Sequence, residues 1–258
     1  MLAAYKFQQK YTKGVTYNIM KKKVVLFDLD GTLLPMDQDQ FTKIYFMALV
    51  KKLGDMGLPA SNEEEQRALG KAVWAGTYAM MKNDGEKTNE EVFFSTFAAC
   101  TGVDLIDRKS EFNDFYHNEF HLVSKVFGKN PMIKSAIEEI KGRGYRVAIA
   151  TNPLFPLIAN EQRLSYAGFL LSDFEFCTCY ENSRHCKPNL EYYRDIIEHL
   201  GVKAEECVMV GNDVGDDMVA RKLGMDVFLI TDCLINAQND DIEQFPHGNW
   251  SDLLEFLE

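Results

Sequence analysis

No stretch of this 258-residue chain approaches the roughly twenty apolar residues needed to cross a bilayer. The N-terminus lacks the basic, apolar and small-residue succession of a secretory signal. Positive charge is also scarce. With 28 Lys and Arg against 39 Asp and Glu, the formal net charge is −11, which argues against a nucleic-acid surface and against an anionic membrane. Small anionic substrates stay open, because one lysine and a metal ion can make a local positive site. The six cysteines (Cys100, Cys177, Cys179, Cys186, Cys207 and Cys233) are too sparse for a disulfide scaffold at this length. There is no internal repeat and no low-complexity tract. What remains is a reduced, cytoplasmic protein with one large domain or two modest ones. A monomer is expected, since no apolar heptad or long edge strand is visible.

What is present centres on Val24-Val25-Leu26-Phe27-Asp28-Leu29-Asp30-Gly31-Thr32. Four apolar residues running into carboxylates read as a strand buried on both faces, as in a parallel sheet. Gly31 breaks the strand, so Asp28 and Asp30 fall at its carboxyl end, where open α/β sheets bind ligands. Two carboxylates there are costly unless a cation joins them. Mg²⁺ suits them, because hard cations take oxygen ligands.

Residues 1–22 carry no convincing pattern and read as an N-terminal extension, with Met20 a plausible alternative start. From 37 to 128 the pattern is helical. One helix runs from Asp39 to Leu53. A second begins with a capping box from Ser61 to Glu64, and Thr88 caps a third. Phe112, Phe115, Tyr116 and Phe120 outline a fourth. An all-helical insertion at 37–128 is therefore expected between two parts of an α/β core, 23–36 and 129–258, with Leu34 to Gln40 as the hinge. The core resumes with a helix from Pro131. Strands follow at Tyr145–Ala150, Phe174–Cys177, Cys207–Val210 and Val227–Ile230, with helices near Leu157–Tyr166, Asn189–Leu200, Gly215–Leu223 and Trp250–Leu257. Alternating strands and helices predict a doubly wound, mostly parallel Rossmann-like sheet.

Three more strand ends carry chemistry. Thr151-Asn152 offers a hydroxyl and backbone N–H groups to a phosphate. Lys187-Pro188 offers a fixed point charge. Asp213-x-x-x-Asp217 adds two carboxylates. Each has an ordinary alternative: a helix cap, a surface lysine, a solvated helix start. Cys177, Cys179, His185 and Cys186 have the residue types of a thiolate metal site but fit no common zinc spacing. The cap aromatics, Phe41 and Tyr45 among them, sit at helical spacing and read as core before they read as a pocket.

Asp28-Leu29-Asp30-Gly31-Thr32 resembles the first motif of the haloacid dehalogenase (HAD) superfamily of phosphatases and phosphotransferases. With Thr151, Lys187 and Asp213…Asp217 in order, residues 23–231 resemble its whole four-motif pattern. The helical insertion resembles the cap of phosphoglycolate phosphatase-like and β-phosphoglucomutase-like members. The resemblance implies a Mg²⁺-dependent phosphatase acting on a small phosphorylated metabolite. In it Asp28 is the nucleophile, forming an aspartyl-phosphate, and Asp30 is the general acid, then base. Thr151 and the Asn152 amide bind phosphoryl oxygens, and Lys187 offsets charge. Asp28, the Asp30 backbone carbonyl and Asp213 ligate the metal. Asp217 is a ligand through water or orients Lys187. The family often has Asp directly after the glycine of its fourth motif, where this chain has Asn212. Asp213 is favoured by its spacing to Asp217, with Asn212 and Asp216 as alternates.

Asp30 argues against a dehalogenase, which lacks the second aspartate, and against a P-type ATPase, which carries threonine there. A sugar phosphomutase keeps all four motifs and is the enzymatic rival. A non-catalytic regulatory protein of the same fold is the rival of a different class.

Overall fold

A computed structural model describes residues 23–258, so the expected extension at 1–22 lies outside the described residues. Five parallel strands form one sheet: β1 (Val24–Phe27), β2 (Arg146–Ile149), β3 (Cys207–Gly211), β4 (Asp226–Ile230) and β5 (His247–Gly248). Their order is β2-β1-β3-β4-β5. β1 is thus flanked on both edges, with Leu26 opposite Ala148 in β2 and Met209 in β3.

The continuous apolar run of β1 is explained by its surroundings. Val25 and Phe27 face one layer, where α5 (Pro131–Gly142) supplies Ile133, Ile137 and Ile140 and α8 (Trp250–Phe256) supplies Trp250 and Leu253. Val24 and Leu26 face the other, against Tyr192, Tyr193 and Ile196 of α7 (Leu190–Leu200). All four β1 side chains are fully buried. Each such burial contributes roughly 1.5–3 kcal/mol of transfer free energy.

Four helices lie between β1 and α5: α1 (Gln38–Asp55), α2 (Glu63–Met81), α3 (Asn89–Thr101) and α4 (Lys109–Asn118). They enclose a separate aromatic-rich core that includes Phe41, Tyr45, Phe93, Phe97, Phe112 and Phe115. Asp37 caps α1 by accepting from Gln40 N. Thr88 and Glu91 form a full capping box at α3, which ends at Gly102 in the left-handed region. At α2 the cap is Asn62, not Ser61: Asn62 Oδ1 accepts from Glu64 N and Glu65 N, and Glu65 reaches back to Ser61. The chain enters and leaves this layer at one place. Met36 bridges antiparallel to Phe127, and Gly128 N donates to Pro35 O at 2.7 Å. A second contact docks the start of α3 on the core, through Asn89 N to Ser183 O and Asn89 Nδ2 to Pro153 O.

Three expectations differ from the structure. Phe174–Cys177 is not a strand but a single parallel bridge, Cys177 with Ile149. Val147 O accepts from Glu175 N, one residue out of the register that bridge sets, so no ladder propagates. The helix expected at Gly215–Leu223 is a turn followed by a 3₁₀ helix over Met218–Leu223. Asp213 Oδ1 takes the Gly215 and Asp216 N–H groups, which holds the preceding turn open. β5 was not expected; two residues carry no period. Among the described residues no helix is long and apolar enough to cross a membrane.

Candidate active site

The carboxyl ends of β1, β2 and β3 point to one side of the sheet, and every motif residue follows one of them or the loop beside them. Asp28, Asp30, Thr151, Asn152, Lys187, Asp213 and Asp217 all line one cleft of about 140 Å³, with Asn212 and Asp216 beside them. The sheet brings together residues up to 189 positions apart because β1 has both neighbours in register. Asp28 N bonds Val210 O and Ala150 N bonds Phe27 O, which aligns the three strand ends.

Lys187 is the pivot. Its ammonium donates to Asp28 Oδ1 at 2.9 Å and to Asp217 Oδ1 at 2.6 Å, and all three groups are buried. Burial opposes the charge on Lys187, but Asp217 and Asp28 more than restore it and hold its pKa well above the ordinary lysine value. Asp217 Oδ2 accepts from Asp213 N at 3.0 Å, so both its oxygens are committed to positioning. This packing demands glycine at 211, where an added Cβ would lie 2.0 Å from Asp217 Oδ2.

On the other side of Asp28, Thr32 Oγ1 lies 3.1 Å from Asp28 Oδ2 and 3.0 Å from Asn212 Oδ1. One hydroxyl proton serves one of these at a time. Asn212 is therefore linked to Asp28 through the Thr32 hydroxyl. It is held there by its Nδ2 donating to Cys233 O at 2.6 Å. Asp213 Oδ1 caps the following turn instead.

Asp30 is paired with a residue that no motif reading includes. Arg163 of α6 (Leu157–Tyr166), fully buried, donates from Nη1 to Asp30 Oδ2 and from Nη2 to Asn160 Oδ1, and its guanidinium stacks on the Phe155 ring. Asp30 Oδ1 is buried without a hydrogen-bond partner among the described residues. Burial pushes the Asp30 pKa up to about 6 against the opposing pull of Arg163. The sequence did carry a signal. Asn160 and Arg163, three residues apart, fall on the buried face of an amphipathic helix beside Ala159 and Leu164, where polar groups need a partner.

At the end of β2, Thr151 is buried, and its carbonyl accepts from Thr178 Oγ1 at 2.7 Å and Tyr192 Oη at 2.8 Å, which fixes the turn. Asn152 Nδ2 donates to Asp216 Oδ2 at 3.3 Å. Burial raises Asp216 to about 6.

Five carboxylates (Asp28, Asp30, Asp213, Asp216 and Asp217) thus share the cleft with one cation, Lys187, while the buried Arg163 pairs with Asp30 from outside the lining. The donor set is hard oxygen and the charge excess is negative, which fits a divalent cation such as Mg²⁺. Among the described residues no three carboxylate, histidine or cysteine side chains converge into a metal cluster of their own. Cys177, Cys179, His185 and Cys186 make none either. Cys186 Sγ contacts Met80 O and His185 pairs with Asp195.

Residues 22–224 match the haloacid dehalogenase-like hydrolase family. This chain belongs to that family. A glyceraldehyde 3-phosphate phosphatase of Methanothermobacter thermautotrophicus is 28% identical over 225 residues, covering 86% of this chain and 91% of its own. A phosphoglycolate phosphatase of Vibrio parahaemolyticus is 28% identical over 245 residues, covering 91% and 96%. Among solved structures, a HAD phosphatase from Thermococcus onnurineus superposes with a TM-score of 0.57 at 22% identity, over 91% of this chain and 97% of that one, which shows the shared fold.

Proposed function

We propose that this protein is a Mg²⁺-dependent phosphatase that hydrolyses a small phosphorylated metabolite through a phosphoenzyme at Asp28. The observation that carries the reading is the Asp28–Lys187–Asp217 array in one cleft with Asp30, one of whose oxygens has no hydrogen-bond partner among the described residues. Relatives named as phosphatases of phosphoglycolate, glyceraldehyde 3-phosphate and pyrophosphate support the reaction class.

Asp28 attacks phosphorus, and the phosphoryl group passes to its carboxylate as the ester oxygen departs. Asp30, with a pKa of about 6, gives that oxygen a proton from the side opposite Arg163. It then takes a proton from the water that hydrolyses the aspartyl-phosphate. Lys187 neutralises charge on Asp28 and on the phosphoryl oxygens, while the Thr151 hydroxyl and Asn152 amide hold the equatorial oxygens. Asp217 keeps Lys187 in place. Asp28, the Asp30 backbone carbonyl, Asn212 and Asp213 would hold Mg²⁺, which when bound offsets negative charge on the nucleophile and phosphoryl group.

The test is phosphate release from a panel of phosphomonoesters with Mg²⁺ or EDTA, for wild type and Asp28→Asn. Release that needs metal and is lost in Asp28→Asn supports the reading. Activity surviving Asp28→Asn removes it. A phosphomutase would instead return the phosphoryl group to a second hydroxyl of a sugar phosphate without net phosphate release.

A further inference from the structure

A second cavity of about 140 Å³ opens on the far side of Asp30 from Lys187. It shares Asp30, Gln38, Leu154 and Phe155 with the phosphoryl cleft, so the two are neighbours with the proposed acid lining both. The ester oxygen that Asp30 would protonate carries the leaving group, and this cavity is space that Asp30 lines outside the phosphoryl cleft. Its chemistry therefore bears on the substrate.

The walls are aromatic: Phe41, Tyr45, Phe93, Phe112 and Tyr116 come from the helical layer, and Phe155 from the core. No lysine, arginine or histidine lines it among the described residues. The phenols are neutral. Tyr45 Oη and Tyr116 Oη lie 3.0 Å apart, one donating to the other, and burial pushes Tyr45 up to about 12. The Thr77 hydroxyl donates to Val73 O within its own helix. Few polar groups are left over: Asp30 Oδ1, the Gln38 carboxamide and one phenol. Tyr180 Oη is buried at the wall without a partner among the described residues.

Such a lining cannot neutralise a carboxylate, and it offers too few partners for the several hydroxyls of a sugar. Either would leave buried polar groups unpaired. An apolar ring meets none of these costs. The volume is close to that of an apolar protein cavity of about 150 Å³ that takes up benzene.

Resting on the phosphatase reading, we propose that the substrate is a phosphomonoester whose leaving group is uncharged and apolar next to the ester oxygen. That group has about the bulk of one six-membered ring, with any polar atom placed to meet Tyr180 or Gln38. This sets the chain apart from relatives named for phosphoglycolate, whose leaving group is an anion.

The experiment compares kcat/KM of the full-length chain with Mg²⁺ on benzyl phosphate, phosphoglycolate, glycerol 3-phosphate and glucose 6-phosphate. Acetyl phosphate serves as a substrate that barely uses the second cavity. All four test compounds are alkyl phosphates, so their intrinsic reactivity is similar and the ranking reads the cavity. Benzyl phosphate is expected to exceed each of the others by at least about tenfold. Thr42→Arg, on an exposed position of α1 at the rim of the cavity, is expected to narrow the ratio of benzyl phosphate to phosphoglycolate by about tenfold or more. Equal or better turnover of phosphoglycolate or glucose 6-phosphate would overturn the proposal. Hydrolysis of acetyl phosphate without benzyl phosphate would overturn it while leaving the phosphatase reading intact. Silence on every compound, acetyl phosphate included, would remove both.

Discussion

Arg163 grips one oxygen of Asp30 and leaves the other bare. The cation is buried completely, stacked on Phe155 and donating to the Asn160 carboxamide. It thus points the proposed acid into the cleft and, through its charge, limits how far burial can raise the Asp30 pKa.

Removing that cation leaves a buried carboxylate with no partner. Arg163→Met is expected to lose about 3–5 kcal/mol of stability at pH 8. At pH 5 the loss should be smaller, because Asp30 without its cation takes up a proton. Urea unfolding at the two pH values reads both. An equal loss at each would mean that Arg163 acts only by packing on Phe155.

Asp30→Asn keeps a hydrogen-bond acceptor for Arg163 and should fold. Its turnover of alkyl phosphates is expected to fall about 10²–10⁴-fold. With acetyl phosphate, whose leaving group needs no proton, Asp28 should still be phosphorylated and then persist without a base to activate water. Mass spectrometry of the intact protein would show the added phosphoryl group. Rapid turnover by this variant would end the acid–base assignment.

Asp30 and Asp216 both have folded-state pKa values near 6, above the ordinary carboxylate range. The folded state therefore binds more protons than the unfolded chain between about pH 4 and 6, and the two groups subtract stability as pH rises through that window. In EDTA, Asp216→Asn should flatten the fall in Tm between pH 4 and 7 relative to wild type. Mg²⁺ should raise the wild-type Tm more at pH 7.5 than at pH 5, since it meets carboxylates that have lost their protons. Calorimetry with and without EDTA measures both, and a Mg²⁺ effect independent of pH would contradict the charge-excess argument.

Gly211→Ala places a methyl group where Asp217 Oδ2 now sits. Asp217 must move, and Lys187 loses its nearer partner. The expected outcome is a loss of about 1–3 kcal/mol of stability with a fall in kcat much larger than any change in KM. A variant with unchanged kcat would show that Lys187 is held by Asp28 alone.

Much of this site can be read from residue order, for reasons that are local. β1 announces itself because a strand buried on both faces must be apolar throughout, and Asp28 interrupts that run at its end. The helical layer is legible because Phe41, Tyr45, Leu49 and Leu53 repeat at helical spacing and Thr88–Glu91 marks an end. What is not legible depends on direction or distance. The bond that orients Asn212 is to the Cys233 carbonyl, 21 residues on. The Arg163–Asp30 pair spans 133 residues. Phe174–Cys177 has strand composition, but a one-residue slip beside Val147 prevents a ladder. The cap aromatics keep helical spacing whether they fill a core or wall a cavity, and Phe41 and Tyr45 do both.

The chain crosses into the helical layer at Met36 and returns at Phe127, side by side. Topologically, more than ninety residues hang from the sheet as a side branch on one stem. Cutting at the stem would leave two ends that a single turn could rejoin, with strand order untouched. A replacement branch would keep the strand order but would have to remake the docking of Asn89 on Ser183, Pro153 and Cys186, beside Lys187. Because the branch supplies most of the aromatic wall, exchanging it would change that wall while β1, β2 and β3 keep their register.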